Sequence, residues 1–237
     1  MNPEISVVVP LLNEGPNVAP LAARIFGALG GDPRGLELIL VDDGSTDDTW
    51  ARILEVQRAE PRLRPLRHPR SCGQSAALWT GFRSARGSLI ATLDGDLQND
   101  PADLPRMLAD LAHWDMVCGV RTGRKDNWLR RVSSRVARSA RKLAFGVDFS
   151  DTGCGLRVFK SSLVESIPPF NGFHRFLPVL ASGAGALIKE IPVAHHPRIA
   201  GQSKYGLWNR LGRGLYDLIG VRWFLKRQIK TPRTSSP

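Results

Sequence analysis

Over the first half of the chain, four apolar runs and one short strand-like segment alternate with segments whose apolar residues recur at helical spacing, an order that few architectures accept. Ile5–Val9 is a continuous β-branched run, as expected for a strand covered on both faces. Leu36–Val41, Leu63–Leu66, Ser88–Leu93 and Met116–Val120 read as further strands. Between them, Val18–Leu29, Thr49–Val56, Ser75–Phe82 and Leu104–Leu111 read as helices, the second following an Asp/Ser/Thr cluster suited to capping. Strand and helix alternating at this spacing imply right-handed crossovers within one sheet, so the expected class is α/β with a mostly parallel sheet. Ligands on such sheets sit beyond the carboxyl ends of the strands, and that rule decides which loops carry the chemistry.

Three of those loops are acidic: Pro10-Leu11-Leu12-Asn13-Glu14, Asp42-Asp43-Gly44-Ser45-Thr46-Asp47-Asp48, and Asp94-Gly95-Asp96-Leu97-Gln98. Each alone suits a turn or a helix cap. Together at one sheet edge they gather carboxylates that repel one another unless positive charge sits among them. Magnesium and manganese take oxygen ligands, commonly one or two carboxylates plus substrate phosphates. Asp94 and Asp96 can reach one such ion across the slim backbone of Gly95, and in an extended segment Gln98 would add an amide oxygen from the same side.

The second half is basic. Of 33 Lys and Arg against 22 Asp and Glu, giving a formal charge of +11, many fall after residue 120, which points to an anionic partner: nucleic acid, phosphorylated ligand or acidic membrane face. Trp128–Phe145 is a helix candidate with Arg131, Arg135, Arg138 and Lys142 at three- and four-residue steps, the last two suiting a solvated face. Leu156–Phe159 and Leu187–Val193 look like strands that extend the sheet. Leu207–Leu225 carries Trp208, Leu211, Leu215, Leu218, Ile219 and Phe224 roughly on one side, as either an interfacial helix or one docked on the domain. Residues 229–237 read as a frayed basic tail.

Other classes lose support. Cys72, Cys118 and Cys154 are odd in number and scattered, which favours neither a disulfide framework nor a zinc site and suits a reducing compartment. The first strand follows almost at once on the N-terminus, so no signal peptide is expected, and no 18-residue apolar run marks a membrane span. No Gly-x-Gly-x-x-Gly follows the first strand, against a dinucleotide oxidoreductase. No nucleic-acid-binding motif accompanies the charge, so no nucleic-acid partner is expected.

Val7-Val8-Val9-Pro10 with Asn13-Glu14, Val41-Asp42-Asp43-Gly44-Ser45 with Asp47, and Asp94-Gly95-Asp96-Leu97-Gln98 resemble, in this order, the family 2 inverting glycosyltransferases of GT-A fold. Asp151-Thr152-Gly153-Cys154-Gly155-Leu156-Arg157, His174-Arg175-Phe176 and Arg198-x-x-Gly201-x-Ser203-Lys204-Tyr205 narrow the likeness to the dolichol-phosphate mannosyltransferase and undecaprenyl-phosphate glycosyltransferase subgroup, over about residues 5–206. The resemblance implies a GT-A catalytic domain over 1–206, with a mostly parallel mixed sheet flanked by helices, then a C-terminal amphipathic helical segment over 207–228. It implies transfer of a sugar from a nucleoside-diphosphate sugar, GDP-mannose-like or UDP-linked, to a polyprenyl phosphate at the cytoplasmic face of a membrane, by a peripheral protein facing anionic lipid. Pro10, Asn13 and Glu14 would surround base and ribose, Asp42 or Asp43 would accept from the base, and Asp47 would shape that loop. Gly73–Ala77 would pack beside the nucleotide, and Asp94, Asp96 and Gln98 would hold Mg2+ or Mn2+, with Asp96 also counted as catalytic.

On the acceptor side, the resemblance gives Arg121, Arg131, Ser134 and Arg175 to the acceptor phosphate and Arg157 to catalysis. Asp151 is either a base or a loop anchor, and Arg198, Ser203 and Lys204 would close over the donor or form an ordinary basic turn. A phosphate monoester is largely dianionic at neutral pH, so such an acceptor needs cations for placement more than a general base. The alternative is a saccharide or other soluble acceptor, which would need that base.

Overall fold

The computed structural model describes residues 3–122, 142, 145–197 and 207–228, the side chains of 207–215 excepted. Seven strands form one sheet: β1 (Ile5–Leu11), β2 (Leu36–Asp42), β3 (Leu63–Arg67), β4 (Leu89–Thr92), β5 (Met116–Arg121), β6 (Arg157–Lys160) and β7 (Ile188–Val193), in the order β3-β2-β1-β4-β6-β5-β7. Helices α1 (Gly15–Leu29), α2 (Thr49–Ala59), α3 (Gln74–Ser84) and α4 (Leu104–Asp110) fall where the periodicity places them. Two further helices follow, α5 (Leu177–Gly183) and α6 (Leu207–Arg227).

The sheet is parallel except at β6, which pairs antiparallel with both β4 and β5. Two reversals restore the direction, so β5 and β7 run with β1, β2 and β4. Their carboxyl ends share one edge, and β6 delivers its entry loop to that edge rather than its exit loop. The sequence reading has Leu156–Phe159 extending the sheet. Instead β6 is inserted within it, where both of its backbone edges find ladder partners.

Period two along β1 sends Val7 and Val9 to one core and Val8 to the other, all fully enclosed. The first core packs α1, α2 and α4 against the sheet, and the second packs α3, α5 and the C-terminal half of α6. Helix α5 escapes sequence periodicity because Leu177–Ala181 is apolar on every side, and all five residues are buried. The Trp128–Phe145 helix candidate lies, apart from 142 and 145, outside the described residues, as do Arg198–Tyr205 and residues 229–237.

Helix α6 is neither wholly docked nor wholly outward. Val221 is buried in the second core, with Phe224 and Leu225 packed beside it, and a methyl group on Gly183 of α5 would collide with Leu225. Tyr216, Ile219 and Trp223 point the other way at 80%, 61% and 64% exposure. On a helical wheel these rows are well over a quarter turn apart. No helix among the described residues is long and apolar enough to cross a membrane.

Candidate active site

The acidic loops do meet at the carboxyl edge, but their carboxylates do different work. Asn13, at φ 55, takes its place through both its backbone and its side chain: its N–H donates to Ser45 Oγ at 2.9 Å and its Oδ1 accepts from Thr46 N–H at 2.9 Å. Asp42 is fully buried; Oδ1 accepts from Ser45 N–H and Oδ2 lies 3.0 Å from Arg67 Nε. Asp47 ties the loop to two helices, accepting from Thr49 and from Gly15 N–H. Asn13 and Asp47 tie the first loop to the second, and Asp42 braces the second from within and from β3.

Asp43 anchors a third segment. Its oxygens accept from Cys72 N–H at 2.9 Å, Gly73 N–H at 2.8 Å and Ser71 Oγ at 2.9 Å, with His68 Nδ1 at 2.7 Å. Burial alone would raise its pKa, but the Cys72, His68, Gly73 and Ser71 donors together hold it below the usual carboxylate range. Asp43, His68 and Cys72 also place possible metal-ligand atoms within 4.8 Å of one another. The carboxylate is already satisfied by those donors, so its chemistry there is that of a loop anchor. Asp43→Ala should strand the Cys72 and Gly73 N–H groups and lower unfolding stability by about 2–3 kcal/mol. Urea denaturation reads this directly; an unchanged midpoint would refute the anchoring role.

Carboxylate repulsion is therefore relieved by protein donors in the second loop, and only the third loop still calls for a cation. Asp94 and Asp96 line a cavity of about 420 Å³ together with Pro10, Glu14 and Asp43. Burial, then the charge of Asp96, push the Asp94 carboxyl above its usual range, against the pull of Arg157, Arg121 and the Gln74 amide. Gln74 Nε2 donates to Asp94 Oδ1 at 2.9 Å. Two neighbouring carboxylates at a cavity wall, one destabilised as an anion, are hard oxygen donors that fit a divalent cation.

Gln98 behaves otherwise than the period-two argument supposes. Leu97 sits at φ 60, so 94–98 is a turn and not an extended segment. Gln98 N–H donates to Asp96 Oδ1, its side-chain amide donates to His196 O at 3.3 Å, and it is not among the residues lining the cavity. The turn also accepts His196 N–H at Gln98 O, and Asn99 bridges to His195. His195 and His196 are thus held against the turn that follows Asp96.

The same cavity has a cationic side beside the acidic pair: Arg121, Arg157 and Arg175 line it, with Gly153, Cys154, Gly155 and His174. Arg121 donates to both Asp151 oxygens, at 2.7 and 2.8 Å. Burial would lower its pKa, but Asp151 keeps it raised. Of the two readings left open for Asp151, this geometry is that of an anchor. Arg157, 4% exposed, donates to Thr152 O at 2.7 Å and His174 O at 2.8 Å, joining the entry loop of β6 to the segment before α5. Its Nε has no hydrogen-bond partner among the described residues.

His174 and Gln74 were visible in the sequence only as parts of motifs. Ser75 Oγ accepts from Gly172 N–H at 2.8 Å and pairs with His174 Nδ1 at 2.7 Å. Burial, then Arg157 and Arg175, bring the His174 pKa down to about 3, so the ring is neutral. A neutral ring carries one N–H, so His174 is a donor at one nitrogen and an acceptor at the other. Arg131 and Ser134, the other acceptor-phosphate candidates, and Arg198, Ser203 and Lys204, the closing-loop candidates, lie outside the described residues. Lys142 pairs with Asp148 at 3.2 Å on the surface, away from the cavity lining.

Residues 6–167 match the model of the family described as Glycosyl transferase family 2. The chain is 41% identical over 233 residues to dodecaprenyl-phosphate galacturonate synthase of Rhizobium johnstonii, covering 96% of this chain and 69% of that protein. It is 37% identical over 218 residues to undecaprenyl-phosphate 4-deoxy-4-formamido-L-arabinose transferase of Edwardsiella ictaluri, covering 91% and 66%. The chain thus spans about two thirds of the length of these relatives. Among solved structures, a mannosyltransferase of Pyrobaculum calidifontis in complex with GDP-Man and Mn2+ superimposes at TM-score 0.69 and 22% identity, covering 98% of this chain and 66% of that one. Glucosyl-3-phosphoglycerate synthase of Mycobacterium tuberculosis, with Mn2+, UDP-glucose and phosphoglyceric acid, superimposes at 0.67 and 19% identity, covering 94% and 79%. At these identities the structural likeness speaks to the fold.

Proposed function

Because the chain belongs to glycosyl transferase family 2 and has the GT-A fold, we propose that it transfers a sugar from a nucleoside-diphosphate sugar to a polyprenyl phosphate, with inversion at the anomeric carbon. One observation carries the reading: a single cavity sets the Asp94–Asp96 pair beside Arg121, Arg157 and Arg175. An acidic wall suits a donor whose diphosphate arrives with a divalent ion, and a cationic wall suits an acceptor that is itself an anion. Two relatives named for dodecaprenyl and undecaprenyl phosphate support the acceptor class.

On this reading Asp94 and Asp96 would hold Mg2+ or Mn2+, which supplies positive charge against the diphosphate as it departs. Pro10 and Glu14 border the nucleotide side, and Asp43 holds the Ser71–Gly73 loop against it. An acceptor phosphate oxygen bonds to the anomeric carbon as the bond from that carbon to the diphosphate oxygen breaks. The phosphate is already dianionic, so no proton has to be removed. That fits an acceptor side where the acid, Asp151, is bound to Arg121. A saccharide acceptor would leave its hydroxyl without a general base there. The Arg121–Asp151 and Arg157–Thr152 contacts fix the cationic wall before substrate arrives.

Helix α6 suits a protein lying on the cytoplasmic face of a membrane. Tyr216, Ile219 and Trp223 are outward, flanked by exposed Arg222, Lys226 and Arg227, an arrangement that matches interfacial burial beside anionic lipid. The test is to incubate the protein with Mg2+ or Mn2+, radiolabelled GDP- and UDP-sugars, and dolichyl or undecaprenyl phosphate. Label should pass into the organic phase for one donor. Label on a soluble sugar acceptor, with none on lipid, would overturn the reading.

A further inference from the structure

Asp217 is the only acidic residue in α6, a helix that also carries Arg210, Arg213, Arg222, Lys226 and Arg227. On a helix facing anionic lipid an acid is unfavourable unless a partner holds it. Its partner is in the cavity wall: Arg175 Nη2 donates to Asp217 Oδ2 at 2.7 Å across 42 residues of chain. Asp217 is turned inward, its side chain 13% exposed. Arg175 lines the cavity and is 39% exposed, and its buried Nε has no hydrogen-bond partner among the described residues.

The backbone beneath is shaped to admit the pair. Gly172 has φ 106, and a Cβ there would stand 2.7 Å from Arg175 Nη2 and 2.9 Å from Asp217 Oδ2. The same residue donates its N–H to Ser75 on α3, so the segment carrying Arg175 is fixed at one end while Asp217 fixes the guanidinium at the other. Val221 and Leu225, four and eight residues on, seat the same face of α6 against the domain.

We propose that Asp217 is a positioning residue for the acceptor-phosphate site, acting through Arg175, so that α6 is part of that site rather than an appendage. This rests on the polyprenyl-phosphate reading above. Asp217 also offsets part of the charge of Arg175, and two effects oppose. Removing the acid frees charge for an incoming phosphate, but leaves a long side chain to be ordered by the substrate. At a partly exposed pair the charge gain is small and the ordering cost dominates.

Calorimetric titration with farnesyl phosphate, in the presence of Mg2+ and nucleoside diphosphate, tests this. Asp217→Ala should weaken farnesyl phosphate binding about tenfold, while Asp217→Asn, which keeps the acceptor oxygen, should restore most of it. In an Arg175→Ala background, Asp217→Ala should add nothing further. Nucleotide affinity should not move, which separates positioning from general loosening of the fold. Equal or tighter binding by Asp217→Ala, additive losses, or a parallel fall in nucleotide affinity each overturn the proposal. Wild type that binds no farnesyl phosphate overturns it together with the polyprenyl reading. The binding pattern intact, with no lipid-linked label in the transfer assay, sinks the transferase reading alone. Co-sedimentation with phosphatidylserine vesicles adds a control: Ile219→Ser with Trp223→Ser should release the protein, and Asp217→Ala should not.

Discussion

Asp96→Ala is expected to lower sugar transfer by about a thousandfold while leaving the melting temperature within a few degrees of wild type. The loss is large because Asp96 is one of two carboxylates that would hold the charge facing the departing diphosphate, where negative charge grows in the transition state. The fold should survive because removing Asp96 also relieves repulsion against Asp94, whose carboxyl its charge helps to push upward. Excess chelator should reproduce the effect in wild type and add little to the variant. Transfer that persists in Asp96→Ala, or in wild type stripped of divalent ions, would show that the acidic wall does not work through a metal.

Gly155→Ala is the second large effect. The added methyl carbon would stand 2.7 Å from Asp94 Oδ1, closer still to the other carboxylate atoms, so Asp94 must turn away. Gly155 has little room to retreat, since its carbonyl accepts from Thr92 Oγ1 at 2.7 Å, on the strand that leads to Asp94. Displacement of a charged group by about 1 Å costs on the order of a hundredfold in rate. The expected result is that loss in turnover, with metal-dependent nucleotide binding weakened in parallel and the secondary structure unchanged by circular dichroism. Wild-type turnover in Gly155→Ala would mean that Asp94 is not held where the structure places it. The two variants differ in a useful way, because one deletes a carboxylate and the other merely moves its neighbour.

Much of the fold could be read from the chain. β1, β2, β4 and β5 each lie within a few residues of an apolar run, because a strand buried on both faces needs mostly apolar residues and leaves a clear trace, whereas the edge strand β3, LRPLR, leaves a weaker one. The place of Asp94-Gly95-Asp96 at the carboxyl edge was equally readable, since it directly follows an apolar strand run and loops after parallel strands gather at that edge. The cationic side was readable only through the family resemblance, which named Arg121, Arg157 and Arg175 one by one, and not from periodicity or spacing. Arg121 and Arg157 stand in line with ordinary strand residues, and nothing local marks them as neighbours of Asp94. Gln98 shows the opposite error: spacing suggested a ligand, but Leu97 at φ 60 turns its amide toward His196.

Sequence alone therefore determined the α/β class, the parallel first half and the acidic edge, all of which follow from local periodicity and from where strands end. Tertiary structure alone decided what faces that edge. The reversal of β6 brings the Asp151–Gly155 loop to the carboxyl end of the sheet, where a parallel strand would have delivered residues after Lys160. Docking of α6 brings Asp217 to Arg175 across 42 residues. Strand direction and helix docking depend on pairings between distant segments, and no local pattern of residues encodes them.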